Sequence, residues 1–226
     1  MESFTQILEK KDNEYKSIKA TILFTDVVGS SQLWSKHDDK MFDSLIKHEE
    51  LVNDLIKDKG YVVKSIGDSF MCIFEDKDSL LDAVEFTKEL IEKIKKIKVG
   101  KDNLKLRIGI AYGSMNKRKT NIQNNDVWDF FGNAVNTGSR LESKVSDENG
   151  FAFAMINDVD KSDEKKLTDM IDKLDYEIID FDSKCKDKNE KVVRSGRLLS
   201  DMQRNKCKDI DELKGVKPLR VYKVKL

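Results

Sequence analysis

The spacing of hydrophobic residues predicts a chain that alternates between buried strands and amphipathic helices. Residues 19–26 form a compact run of apolar and β-branched side chains that ends at an acid, which is typical of a buried strand. Between residues 30 and 59, apolar side chains recur mostly at three- and four-residue steps. This spacing predicts a long helix with a break near His37, and Gly60 is placed to cap its C-terminal end.

Two short β-prone runs, at residues 61–66 and 70–74, predict a hairpin with Asp68 at its turn. Further along the chain, the same reasoning predicts a helix at 79–98, a strand at 104–112, a polar loop at 113–126, a helix at 132–145 and a strand at 151–156. The order is β-α-β-β-α-β followed by α-β, the split βαβ arrangement, in which two helices cover one face of an antiparallel-rich sheet. We therefore predict an α+β fold with a mixed sheet.

The ends of the chain are predicted from weaker patterns. At 226 residues a single domain is the simplest expectation, and we place it at residues 19–226. Before it, residues 1–18 show a weak amphipathic pattern that favours a short helix or extension. Within the domain we expect a charged elaboration at 158–212, with strands possible at 176–181 and 192–199, and a closing strand within 213–226.

Composition excludes several classes of protein. Hydrophobic residues make up 38% of the chain and charged residues 37%, with 42 basic and 42 acidic side chains. This balance argues against a nucleic-acid-binding role, in which basic charge would be in excess. No apolar run approaches the ~20 residues that a membrane helix needs, and the charged N-terminus is unlike a secretory signal, so we expect a cytoplasmic protein without a membrane partner. Three cysteines without close spacing suggest free thiols.

Two acids are candidate metal ligands. Asp26 ends the first strand and Asp68 lies in the hairpin turn, so they are neighbours if that strand lies beside the hairpin. Mg²⁺ prefers oxygen ligands and commonly keeps substrate phosphates among them, so two aspartates and a triphosphate form a sufficient site. Taken alone, each aspartate is more simply explained by local hydrogen bonding at a strand end or a turn.

Several segments together resemble the class III adenylyl and guanylyl cyclase catalytic domains, over most of residues 19–156. They are ILFTDVVGSSQLW at 22–34, KSIGDSFM at 64–71, LRIGIAYG at 106–113 and DFFGNAVNTGSRL at 129–141, with LKGVKPLRVYKV at 213–224 resembling the closing strand. The chain departs from the family pattern at Ala111, where histidine is frequent, and at Gly138, which replaces an alanine. The resemblance implies the family's ferredoxin-like βαββαβ core and cyclisation of a nucleoside triphosphate.

The resemblance also implies roles for individual residues. Asp26 and Asp68 would hold two divalent ions, Mg²⁺ or Mn²⁺. Asn136 would orient the ribose and Arg140 would stabilise charge on the phosphates. Contacts to the rest of the substrate would come from the base-reading residues Lys64 and Asp129 and the triphosphate-contacting Lys214. A head-to-tail homodimer is implied, in which one subunit supplies Asp26 and Asp68 and its partner supplies the other residues.

The identity of the base stays open at this stage. Lys64 with Asp129 is the family's adenine-type pair, which favours ATP. A small stand-alone cyclase is also similar to the pyrimidine cyclases of bacterial Pycsar antiphage systems, which make cyclic UMP or cyclic CMP, and this architecture tips our expectation slightly towards UTP or CTP. Tyr61 and Arg107 are then candidate contacts to a smaller base, although both suit ordinary sheet positions. A catalytically silent nucleotide-binding dimer is the alternative of another class.

Overall fold

The computed structural model describes residues 15–122, 125–156, 165, 169, 175–181, 205–208, 213 and 219–226. Four helices are described: α1 (Ser30–Lys36), α2 (Asp38–Ile56), α3 (Ser79–Ile94) and α4 (Asn133–Lys144). The strands are β1 (Tyr15–Val27), β2 (Tyr61–Ile66), β3 (Ser69–Phe74), β4 (Lys98–Val99), β5 (Asp102–Asn103), β6 (Leu106–Ile122), β7 (Asn125–Phe131), β8 (Gly150–Ile156), β9 (Asp175–Phe181), β10 (Asn205–Lys208) and β11 (Leu219–Lys225). None of these described helices is long and apolar enough to cross a membrane.

Nine of the described strands form one mixed sheet in the order β10-β9-β11-β8-β6-β1-β3-β2, with β7 paired to β6. The pairs β6–β8 and β9–β10 are parallel, and the other ladders are antiparallel. The predicted α+β fold is therefore confirmed. The closing strand β11 lies between β9 and β8, and the possible strand at 192–199 falls outside the described residues.

The first half of the chain follows the predicted elements closely. The long helix is divided at His37 into α1 and α2, and Gly67, with φ of 64°, begins the two-residue turn that joins β2 to β3. A positive φ is readily adopted by glycine, which lets Asp68 occupy the second turn position. The predicted hairpin is thus confirmed.

Two predictions about local structure were wrong. Residues 113–126 were expected to form a polar loop, but residues 113–122 belong to β6 and residues 125–126 to β7. Residues 113–118 pair with β1, and residues 116–122 pair with β7 in an antiparallel arm. Such a ribbon is exposed enough to keep polar side chains, so its sequence resembles a loop. At the N-terminus, β1 begins at Tyr15, so residues 15–18 are a strand rather than the end of a helix; pairing with β6 decides their conformation.

The sheet carries helices on both faces. Helices α2 and α3 cover one face, against a core that includes Leu23, Ile108 and Phe153, while α4 packs on the other. Because side chains alternate along a strand, Asp26 and Arg107 belong to the face of α4. Gly109 permits a close approach there: a Cβ on this residue would lie 2.2 Å from both the backbone nitrogen of Glu142 and the carbonyl oxygen of Gly138.

Candidate active site

The two predicted metal ligands are held by adjacent strands. Asp26 lies near the end of β1, whose neighbours are β3 and β6, and Asp68 lies in the turn that leads into β3. Ser69 follows Asp68 directly, and its hydroxyl donates a hydrogen bond of 3.0 Å to Oδ1 of Asp26. The pairing of β1 with β3 therefore brings the turn and the strand end together.

The carboxylate of Asp68 has an oxygen without a partner among the described residues. Its Oδ2 is buried, and no described residue donates a hydrogen bond to it. A buried carboxylate oxygen without a partner carries a desolvation cost, which a cation would offset. The described residues hold no group of three or more acids, cysteines or histidines arranged to bind a metal. A divalent ion held by Asp26 and Asp68 would thus need further oxygens, which a triphosphate provides.

Arg107 lies opposite Asp26 in the β1–β6 ladder and forms an ion pair with it. The guanidinium donates a hydrogen bond to Oδ2 of Asp26, while Ser69 occupies Oδ1. On its other side, Nε of Arg107 lies 3.5 Å from Oε1 of Glu142, which is near enough for electrostatic attraction. Arg107 was a candidate base contact, but these contacts make it a neighbour of the metal-ligand candidate.

Glu142 is an acid that the sequence analysis did not single out. Its side chain is only 12% exposed, and burial raises its pKa to about 7. The negative charges of Asp26 and Asp68 contribute to this raised pKa, while Arg107 opposes them. One sequence signal could have revealed it: Glu142 follows Gly138 by four residues and so lies on the buried stripe of α4.

The two predicted base readers face each other within one chain. Nζ of Lys64, on β2, lies 2.9 and 3.0 Å from the two carboxylate oxygens of Asp129, on β7. The backbone N–H of Phe130 donates to the same carboxylate at 2.9 Å, which orients it. By contrast, the hydroxyl of Tyr61 donates to Glu75, so the structure assigns it a protein partner.

The two predicted ribose and phosphate contacts lie on the first two-thirds of α4. Asn136 and Arg140 are four residues apart and share one side of the helix, whereas Glu142 is about 200° around the axis from Arg140 at 3.6 residues per turn. Since Glu142 points towards Arg107 and Asp26, Arg140 points away from them. Among the described residues, neither Asn136 nor Arg140 bonds to Asp26 or Asp68. Lys214 lies outside the described residues.

Comparison with protein families shows the family to which the chain belongs. The model of the adenylate and guanylate cyclase catalytic domain matches residues 13–150. The chain belongs to this family. The prediction that the chain is an enzyme domain of the class III nucleotidyl cyclase family is therefore confirmed.

Individual relatives show how far the likeness of this cyclase domain extends. The chain is 41% identical over 71 residues to the receptor-type adenylate cyclase GRESAG 4.1 of Trypanosoma brucei brucei, a match that covers 31% of this chain and 6% of that protein. The domain thus spans only a small part of that relative.

Solved structures of cyclases share the fold. The guanylate cyclase domain of RhGC from Catenaria anguillulae, in complex with GTP, has a TM-score of 0.63 at 22% identity and covers 92% of this chain and 97% of its own. Adenylate cyclases from Trypanosoma brucei in their monomeric state give a TM-score of 0.62 at 19% identity, covering 91% and 87%. These identities are low, so the matches establish the architecture of the domain.

Proposed function

We propose that this cyclase domain closes a nucleoside triphosphate into its 3′,5′-cyclic nucleotide and releases pyrophosphate. The observation that carries the proposal is the pair Asp26 and Asp68, with a buried oxygen of Asp68 that has no partner among the described residues. Family membership supplies the reaction class. Two divalent cations, Mg²⁺ or Mn²⁺, would be held by these carboxylates.

The protein's own residues have separate tasks in this reaction. The bound cations would lower the pKa of the 3′-hydroxyl and offset charge on the leaving phosphates. Ser69 bonds Oδ1 of Asp26 and Arg107 bonds Oδ2, so together they hold this carboxylate in one orientation. Arg140 is proposed to stabilise charge that develops on the phosphates, with Asn136 orienting the ribose and Lys214 contacting the triphosphate. The hydroxyl then attacks the α-phosphorus in line, its proton passes to water or to a substrate phosphate, and pyrophosphate leaves.

We propose further that the complete site forms between two copies of the chain. The direction of Arg140 on α4 supports this, because it points away from the Asp26 and Asp68 of its own chain. Two exposed apolar side chains also favour a partner: Ile66, at the β2–β3 turn, is 60% exposed and Phe131, at the end of β7, is 48% exposed.

A mixing experiment tests the shared site. Asp68→Asn and Arg140→Ala should each be inactive alone, because each homodimer lacks one function in both of its sites. Mixed heterodimers contain one intact site, so activity should return, to about a quarter of wild-type when subunits exchange freely. If the mixture stays as inactive as its components, the site is not shared between copies.

For the base we propose adenine, because the lysine–carboxylate pair is assembled at the proposed reader. A lysine can donate to a ring nitrogen, and a carboxylate can accept from an exocyclic amine. The slight expectation of UTP or CTP came from the small stand-alone architecture, and its two candidate contacts to a pyrimidine, Tyr61 and Arg107, bind acids of the protein.

Separate incubations with ATP, GTP, CTP and UTP, with Mg²⁺ or Mn²⁺, test the choice of base when products are identified by mass spectrometry. Cyclic AMP as the main product would support the adenine reader. Cyclic UMP or cyclic CMP would overturn it and favour a pyrimidine signal of the antiphage kind. Absence of any cyclic product would favour the silent nucleotide-binding dimer.

A further inference from the structure

A nearly buried lysine lies among three aromatic rings beside the proposed base reader. Nζ of Lys117 bonds both carboxylate oxygens of Glu75, at 2.6 and 3.0 Å. The same atom lies 4.7 Å from the ring centre of Trp128, 5.7 Å from that of Phe130 and 5.8 Å from that of Tyr61. The side chain of Lys117 is only 14% exposed. Desolvation of Lys117 strengthens both its ion pair and its cation–π contacts, which favour keeping these residues together.

We call these five residues the aromatic clasp, and they come from four separate parts of the fold. Tyr61 begins β2, Glu75 follows β3, Lys117 lies on β6, and Trp128 and Phe130 lie on β7. In the sheet, β3 and β1 separate β2 from β6, and the described ladders pair β7 with β6 and not with β2. Side chains must therefore hold β7 over β2, and the clasp does so.

The clasp flanks the Lys64–Asp129 pair on both strands. Asp129 lies between Trp128 and Phe130 in sequence, and Tyr61 precedes Lys64 by three residues on β2. Because strand side chains alternate, the two rings of β7 point to the clasp while Asp129 points to the other face of the strand. A shift of β7 away from the clasp would carry Asp129 away from Lys64.

We propose that the aromatic clasp is a positioning element that sets the spacing of Lys64 and Asp129 and thereby the selectivity for the base. The proposal rests on the proposed function of that pair as base reader. Asp26 and Asp68 lie on β1 and in the β2–β3 turn, so the clasp does not contact the metal-ligand candidates. Loss of the clasp should accordingly raise KM for the preferred nucleotide and leave kcat nearly unchanged.

Lys117→Met is the main test, because methionine keeps the length of the side chain and removes the charge. Lys105→Met is a matched control, because Nζ of Lys105 also bonds both carboxylate oxygens of a glutamate, Glu148, and neither residue belongs to the clasp. We expect Lys117→Met to reduce the ratio of kcat/KM between the preferred nucleotide and the next best at least about tenfold, and Lys105→Met to leave it within about twofold. Lys117→Arg should retain most of the selectivity, since arginine also pairs with carboxylates and stacks on rings.

A fluorescence measurement tests the clasp independently of the proposed enzymatic activity. In a Trp34→Phe background, Trp128 is the only tryptophan, so acrylamide quenching of its fluorescence reports whether β7 is held. Lys117→Met should increase the quenching constant about twofold or more. If the wild-type protein turned over no nucleotide, the proposed function would fail, whereas quenching would still test the clasp.

Each remaining outcome has a definite meaning. Unchanged selectivity in a folded Lys117→Met protein, or unchanged quenching of Trp128, would overturn the proposal. If Lys117→Met does not fold, Glu75→Gln provides the second variant, because it removes the countercharge and keeps the shape. Glu75→Gln should shift selectivity and quenching in the same direction by a smaller factor, and the absence of both shifts would equally overturn the proposal.

Discussion

The face of the sheet covered by α2 and α3 and the face covered by α4 are built from the same strands but bury different chemistry. Towards α2 and α3, strands β1, β6 and β8 contribute Leu23, Ile108 and Phe153, all fully buried. Towards α4, β1 and β6 contribute Asp26 and Arg107, which meet Glu142 of the helix. Both faces also bury apolar clusters, the larger one under α2 and α3, and these clusters supply the stability with which the face of α4 can hold partly buried charge. Substitutions on the two faces should therefore separate stability from turnover.

The largest effect is expected from Asp26→Asn on the face of α4. The variant loses a proposed metal ligand and the ion pair with Arg107, so kcat should fall about a thousandfold or more. Its unfolding free energy should change by no more than about 1 kcal/mol, because the ion pair is partly solvated. Steady-state kinetics and chemical denaturation measure the two quantities. A fall in stability as large as the fall in activity would contradict a division of labour between the faces.

The opposite pattern is expected from Leu23→Ala on the other face. Removing a fully buried leucine leaves a cavity and should cost about 2–5 kcal/mol of unfolding free energy. Turnover per folded molecule should stay within about twofold at temperatures well below unfolding. Ile46→Ala is a suitable control, because Ile46 lies on α2 and is 42% exposed, and it should cost no more than about 0.5 kcal/mol.

The pH dependence of stability should differ between the wild type and Glu142→Gln, because only the wild type has a titrating carboxyl group at this position. Burial raises the pKa of Glu142 to about 7 from 4.5, so the folded protein retains a proton that the unfolded chain releases. The stability contributed by this group is thus full below pH 4.5 and is lost as pH rises through 7. Between pH 5 and 8, metal-free wild-type protein should lose about 2 kcal/mol relative to Glu142→Gln, a value reduced for solvent screening. Parallel pH profiles in denaturation experiments would contradict this.

A smaller pH effect on the unfolding free energy, of opposite sign, is expected from His48, which lies on α2. Burial lowers its pKa to about 4 from 6.5, and its ring meets the ring of Phe70 edge-on at 5.0 Å. The neutral form is favoured in the folded state, so its stability contribution is lost as pH falls below 6.5. From pH 7 to 5.5, wild-type protein should lose about 1 kcal/mol relative to His48→Leu. Thermal melts at both pH values would show whether the difference appears.

The elements of the fold were not equally predictable from sequence. In α2 and α3, apolar residues recur at helical spacing, and this spacing is visible in the sequence. The β2–β3 hairpin likewise carries a glycine where a positive φ is required. The arm of β6 and β7 was taken for a loop, because a solvated ribbon has few apolar positions. The pairing is local in sequence, since Ile122 and Asn125 are register partners, but the pattern of apolar residues does not signal it.

The candidate site shows the same limit at the level of side chains. The motifs singled out Asp26 and Asp68, and the sheet order places them together. No motif indicated that Arg107 would turn to Asp26, and the helical spacing that puts Glu142 on the buried stripe of α4 does not identify Arg107 as its neighbour. Those contacts depend on the register of β1 with β6 and on the approach of α4 to Gly109. Pairing register and helix approach are tertiary, so they appeared only in the folded chain.

The most direct test of cyclase activity measures cyclic nucleotide and pyrophosphate together, from wild-type protein and Asp68→Asn side by side, with ATP and saturating Mn²⁺. We predict equal amounts of both products from the wild type and at least about a thousandfold less from the variant. Equal turnover by the two proteins, or pyrophosphate released without a cyclic product, would contradict the assignment of this site to nucleotide cyclisation.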